Sequence, residues 1–355
     1  MGNFDRCIVL GKPRALTLLL GLTLLSGSAR AGILDLPKTV WNWGCGVVVS
    51  GYRSFKQGYT ASHYEASDFP LLNLHRPYRS HGLRYQQAQA DLANMVVRSV
   101  RTRIGMDAIF RSAAQPMQLA ARRSHQEALM ADRYFGEIRT FEMETGCWPA
   151  PPQLKLAAIS PREREVLRHR FEKEFMHVMT RTRNYPEHSP QEWAEGIIDR
   201  RILYYHSLSG AILPLAVQYR SDLASFEDFL HVLHPSIPEA RVIMADVEER
   251  LVRFSLSEVN TVEDRRSFWT AYFGALLASP FAEGNHEISA PLFAGFFLAS
   301  KGEKLKSLLP RTTLWENALI SQSHFVDFME RAYQLSLLTQ SQSPQTASNS
   351  AVSPR

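Results

Sequence analysis

Cysteine is scarce, with three residues in a chain of 355, and no two form a C-x-x-C pair. That excludes a zinc ribbon and a thioredoxin-like redox motif. H-E-x-x-H is absent, which removes the helical zinc-protease site. G-x-S-x-G and the Walker loop are absent too, which removes the α/β-hydrolase elbow and the P-loop nucleotidases. No internal repeat is found, so a solenoid or propeller is not expected. Beyond the N-terminus no apolar run is long enough to span a bilayer; the most apolar one, Pro291–Ala299, has only nine residues. An apolar content of 45% is still ordinary for a globular protein with a real core.

The N-terminus reads as a secretory signal peptide. Arg6, Lys12 and Arg14 precede an apolar run from Ala15 to Leu25, and Ala29-Arg30-Ala31 forms an A-x-A cleavage site before Gly32. No cysteine stands at the cleavage point, which speaks against a lipoprotein. Arg6 stands where a myristoylation signal wants Ser or Thr. Removal of residues 1–31 leaves 36 basic residues against 34 acidic ones, so the net charge falls from +5 to +2. The basic balance is then partly a targeting feature, and a nucleic-acid partner is not expected. The expected location is the periplasm or the outside of the cell. No membrane span is expected once the signal is removed.

Export also changes the cysteine arithmetic. Cys7 leaves with the signal, and Cys45 and Cys147 remain. They either form one disulfide or stay as two buried thiols. A disulfide would close a loop of about a hundred residues, worth about 4–5 kcal/mol in the chain-entropy model.

The sequence predicts a mostly α fold, a helical bundle with at most a small β-hairpin near residues 211–223. Residues 32–80 are rich in loops and aromatics, which pack on later helices or form a partner surface. A helical pattern over 82–145 puts Leu92, Met95, Val96, Val100 and Ile104 on one face. Gly146 to Pro152 stops it and gives the best boundary. The organisation expected is a signal at 1–31, an N-terminal region at 32–155, a helical domain at 156–338 and a disordered tail at 339–355.

Helix starts are clear in the second half. Ser160-Pro161-Arg162-Glu163 and Ser189-Pro190-Gln191-Glu192 each combine a cap, a proline at the first helical position and a Glu three residues after the cap. The second of these predicts a helix carrying Trp193, Ile197, Ile198, Ile202 and Tyr205, ended by Gly210. Ile212–Arg220 reads as extended. Ser225 caps a short helix over 226–233. Ile243, Val247, Leu251 and Phe254 make the stripe of a helix after Pro235 and Pro238. Thr261 with Asp264 starts the next, which puts Ser279 at its inner C-terminal end. Ser289 is expected to cap a very apolar helix, Pro291–Ala299, and a final helix or two covers 314–338. The histidine pairs His169/His177 and His231/His234 lack a third ligand and are not expected to hold a metal.

The connection Ser279-Pro280-Phe281-Ala282-Glu283-Gly284-Asn285-His286 is the candidate for chemistry. Glu283 is a carboxylate suited to holding Mg²⁺ against a diphosphate. Gly284 lets the backbone approach phosphate oxygens. Asn285 opens a helix whose dipole favours anions.

The string Pro-Phe-x-Glu-Gly-Asn resembles the central motif of the Fic/Doc (Fido) family, His-x-Phe-x-Asp/Glu-Gly-Asn-Gly/Lys-Arg-x-x-Arg. The resemblance extends over residues 160–310. It includes a helix after the motif (292–302), a prolyl start and helix before it (237–254), and the region of the target-docking hairpin (215–220). It implies a Fic-like C-terminal core. In working members the motif His is the general base on a target hydroxyl, basic residues grip the nucleotide phosphates, and the product is a target carrying AMP. ATP and Mg²⁺ would be the cofactors of an active site.

Ser279 stands in place of that His, and its hydroxyl has no useful basicity near neutral pH. Glu287 and Ala290 stand where the phosphate-gripping arginines belong. His286 is the alternative base, but it lies seven residues on, past the turn. Three readings follow: an exported, non-AMPylating binding or pseudoenzyme module with a protein partner and no cofactor; an unusual active Fic-type transferase using Glu283, Asn285 and His286; or an unrelated helical periplasmic or secreted interaction protein.

Overall fold

The computed structural model describes residues 63–69, 82–102, 104–105, 108–113, 115–116, 144–149, 154–182, 189–223, 229–257, 259–281, 284–305 and 308–341, the side chains of 82, 144–149, 173–182, 229, 311 and 339–341 excepted. The signal peptide, Cys45, the Cys147 side chain, most of the aromatic segment before residue 63 and the tail after residue 341 lie outside these residues.

A short 3-10 turn, Ala66–Asp68, precedes α1 (Gly82–Arg101). Then come β1 (Glu144–Pro149), β2 (Ala157–Ala158), α2 (Pro161–Thr182), α3 (Pro190–Glu195), β3 (Ile197–His206), β4 (Ile212–Ser221) and β5 (Phe229–Leu233). The chain continues as α4 (Ile237–Leu256), α5 (Val262–Ala278), α6 (Asn285–Lys301), α7 (Arg311–Ala318) and α8 (Gln322–Ser341). Helix dominates, as the periodicity predicts. The β part is one antiparallel sheet in the order β1-β5-β4-β3-β2.

The sheet is larger than the small hairpin expected. The helix read after Ser189 ends at Glu195, although its capping box forms as read, with the Ser189 hydroxyl accepting from Glu192 N. Gly196 then passes so close to Leu223 that a Cβ there would lie 2.6 Å from Leu223 Cγ, and Asp222 N donates to its carbonyl. Residues 197–206 are extended. Leu203 and Tyr205 turn inward while Tyr204 and His206 face out, and a bulge at Leu203/Tyr204 shifts the register. The period is two, and β-branched Ile197, Ile198 and Ile202 fit a pleat as well as a helix face. Gly210 ends no helix; it turns the β3–β4 hairpin at φ 82°. Residues 229–233, read as a helix, pair with β1 and β4. Residues 144–149, at the end of the long helical reading, are strand, and α1 stops at Arg101.

Two helices make the centre. Every residue of α5 from Phe268 to Ala278 is buried, and so is α6 from Asn285 to Ala299. A helix apolar on all sides belongs inside a domain. Around them pack α1, α4 and α8. Phe268 is the hub of the aromatic contacts, 4.5 Å from Phe254, 5.4 Å from Phe293 and 5.5 Å from Phe297, centroid to centroid. The core draws on residues 64–113 as well as on 203–333. A smaller cluster, including Leu167, Phe171, Ala194 and Tyr219, fills the space between α2, α3 and the sheet.

Polar clamps fix the layers. Arg265 and Glu330 pair in the interior, and Trp269 Nε1 and Gln334 Nε2 also donate to Glu330, which ties α5 to α8. Tyr205 donates to Asp246, and Arg250 reaches Asp246, Ser267 and the His206 carbonyl, which ties the hairpin to α4 and α5. Lys301 caps the end of α4 through the carbonyls of Phe254 and Ser257. The buried charges of these clamps, Arg250, Arg265 and Glu330, are each paired, which is the condition for keeping them in the interior.

At Gly295 of α6 a Cβ would sit 2.5 Å from the Ala93 carbonyl oxygen of α1 and 2.9 Å from Val96 Cβ. Gly295→Ala should therefore cost about 1–3 kcal/mol in urea unfolding. Gly105→Ala, where nothing lies within 4 Å, should stay within about 0.5 kcal/mol of the parent.

Candidate functional site

The link between α5 and α6 begins with a reversal of the backbone. Ser279 closes α5 in the left-handed region, at φ 52° and ψ 62°, and is the only non-glycine with positive φ among the described residues. Such a conformation costs a residue with a Cβ about 1–2 kcal/mol. Pro280 follows, and proline cannot continue a helix. Thr261 starts α5 as the sequence predicts, accepting from Asp264 N at 3.0 Å. Phe268, Tyr272, Ala275, Leu276 and Ser279 share one face at helical spacing and are buried, and from Phe268 to Ala278 the other faces are buried as well.

Asn285 closes the link. Its Oδ1 accepts from Phe281 N at 2.9 Å, and its Nδ2 donates to the Phe281 carbonyl at 2.6 Å. One side chain thus satisfies both backbone groups of a buried residue four positions upstream, as Asn does in tight turns. Gly284 supplies the helix start at φ 76°, and its carbonyl accepts from Ile288 N at 2.9 Å. The helix therefore starts at Asn285, six residues before the expected Pro291. Ser289 is no cap. It lies inside α6, buried, and its hydroxyl has no hydrogen-bond partner among the described residues. Pro291 is also inside the helix, where it removes the bond to the Glu287 carbonyl.

The candidate side chains that the structure describes on this link, those of Ser279, Asn285 and His286, are enclosed. Ser279 and His286 are each 1% exposed, and Glu287 is 2% exposed. Ala290, at the second arginine position of the motif, is buried too. Glu283, the carboxylate read as a Mg²⁺ ligand, lies outside the described residues, as does Ala282. Tyr272 of α5 stacks on Phe293 of α6 at 4.6 Å. Its phenol is held well above the usual tyrosine range, first by burial and then by the negative charge of Glu287. Glu287 sits in the first turn of α6, where the helix dipole favours an acid.

His234 belongs to the His231/His234 pair, for which the sequence offers no third ligand. The structure gives it a structural role: Nδ1 donates to the Leu277 carbonyl at 2.7 Å and so caps the end of α5. The sequence holds a hint, since a histidine just before Pro235 and a helix start is available to a neighbouring element. His231 lies on β5 rather than on a helix. It stacks on Tyr219 at 5.1 Å and meets Trp193 edge-on. His169 is exposed beside Glu172, and the His177 side chain lies outside the described residues. Among the described residues no three His, Cys, Asp or Glu side chains gather as a metal site.

No protein-family model matches the chain, and neither does any curated protein.

Asn285→Ala should cost about 2–4 kcal/mol in urea unfolding, because two buried backbone groups lose their partners. Ser279→Gly should be neutral or stabilise by up to about 1 kcal/mol, because relief of the left-handed backbone is opposed by the added freedom of the unfolded chain.

Proposed function

We propose that the protein is exported and acts as a non-AMPylating binding module, a degenerate Fic-like helical pair that engages a protein partner. The carrying observation is that both amide atoms of Asn285 are committed to Phe281, while Ser279, His286 and Glu287 are enclosed by the core. A nucleotide diphosphate with Mg²⁺ does not fit such residues. Glu287 holds negative charge in the turn of α6 that would face the phosphates, and no arginine is present from Asn285 to Ala290. Ser279 cannot take a proton from a target hydroxyl near neutral pH. His286, at 1% exposure, is out of reach of a target residue on another protein. No catalytic step is therefore assigned to this link.

Export is supported by the basic n-region, the Ala15–Leu25 run and the Ala29-Arg30-Ala31 site. The periplasm or the outside of the cell is the proposed location. Among the described residues no helix is long and apolar enough to cross a membrane.

Titration calorimetry of the mature chain with ATP–Mg²⁺, up to millimolar nucleotide, tests the reading. No saturable heat is expected, and no label from ATP should pass to the protein or to an added protein mixture. Saturable binding accompanied by label transfer would replace the binding module with an active transferase.

A further inference from the structure

The crossing of α1 and α6 encloses an amide that no described protein group meets. Gln89 of α1 is fully buried, and neither its Nε2 nor its Oε1 has a hydrogen-bond partner among the described residues. Gln86, one turn before it, is buried too, but its Nε2 donates to the Phe69 carbonyl. A buried amide needs such a partner, because without one it loses the hydrogen bonds it makes with water in the unfolded chain.

The register shows what Gln89 faces. Tyr64 N donates to Asn94 Oδ1, and Tyr64 Oη donates to the Ala294 carbonyl, so Asn94 and Ala294 share a level. Further along, Gln86 meets Phe69 while Lys304 pairs with Asp68. The numbering falls along α1 as it rises along α6. The two helices therefore run antiparallel, and Gln89 comes level with Ala299. Gln89 lies one turn before Ala93 and two before Val96, the residues that meet Gly295, so it belongs to the face that α1 turns to α6. Ala299 lies one turn after Gly295 on the face that α6 turns back. Ala88, Ala93 and Ala299 are all buried, so short side chains surround a long one. α6 ends at Lys301, where Gly302 N donates to the Leu298 carbonyl. The carbonyls from Ala299 onward lie past the helix's own ladder.

We propose that Gln89 binds internal water between α1 and the last turn of α6. The amide presents one donor group and one acceptor, and water answers both in the smallest volume. Water accepts from Nε2, donates to Oε1, and gives its remaining hydrogens to the carbonyls at the end of α6.

A crystal structure of the mature chain at a resolution that orders water tests this. The expected result is at least one enclosed water within about 3.2 Å of Gln89 Nε2 or Oε1 and bonded also to a carbonyl of the last turn of α6. Gln89→Met keeps the length and removes both polar groups, and its crystal structure should lose that water. At least one of Gln89→Met and Gln89→Leu should melt within about 4 °C of the parent, because the water leaves with the group it serves. The proposal is overturned if protein groups, from the described residues or from outside them, occupy both amide atoms. It is overturned equally if the amide is enclosed with no water beside it, or if the side chain turns out to solvent. A larger fall in melting temperature in both variants also overturns it, since that marks an amide bonded to protein.

Discussion

Burial of two consecutive helical stretches, residues 268–278 of α5 and 285–299 of α6, is the constraint on which the rest of this structure depends. The described ends of the link between them must therefore satisfy their polar groups inside the core. Three residues meet that demand. Ser279 takes the left-handed backbone that ends α5, Gly284 takes the one that starts α6, and Asn285 satisfies the backbone of Phe281 between them. The cap that His234 places on Leu277 belongs to the same solution, since a buried helix end needs a donor for its carbonyls.

The remaining layers follow from this centre. α1 can approach α6 as closely as it does only because residue 295 is glycine. α8 is locked to α5 by the Arg265–Glu330 pair and its satellites, and the hairpin is locked to α4 by Tyr205, Asp246 and Arg250. These clamps bury charge, and they are tolerable because every member is paired.

Much of this was legible in the sequence where a single physical signal dominated. Ser189 and Thr261 are read correctly as caps, because a hydroxyl three residues before an acid has few other uses ahead of an apolar stripe. The face Ile243, Val247, Leu251 and Phe254 of α4 is buried as its spacing predicts. The sheet was less legible. Ile197, Ile198, Ile202 and Tyr205 satisfy a helical spacing, and nothing local reports the tight pass of Gly196 beside Leu223 that ends the helix. The link was read in its turn chemistry but not in its burial. Gly284 and Asn285 signalled a tight helix start, yet the same residues suit a phosphate loop and a packed turn. Only the surroundings distinguish the two, and His286, Glu287 and Ser289 look polar in sequence while lying in the interior.

The central claim is that Ser279, Phe281, Asn285, His286 and Glu287 belong to the core and not to a ligand-accessible loop. Native-state hydrogen exchange at the Phe281 and Ile288 amides tests it most directly. Exchange at both should track global unfolding, with the same urea dependence as the amides of α5, and should not change when ATP–Mg²⁺ is added. Exchange through a local opening far below the global free energy, slowed by ATP–Mg²⁺, would contradict the account and return the link to the role of a working nucleotide loop.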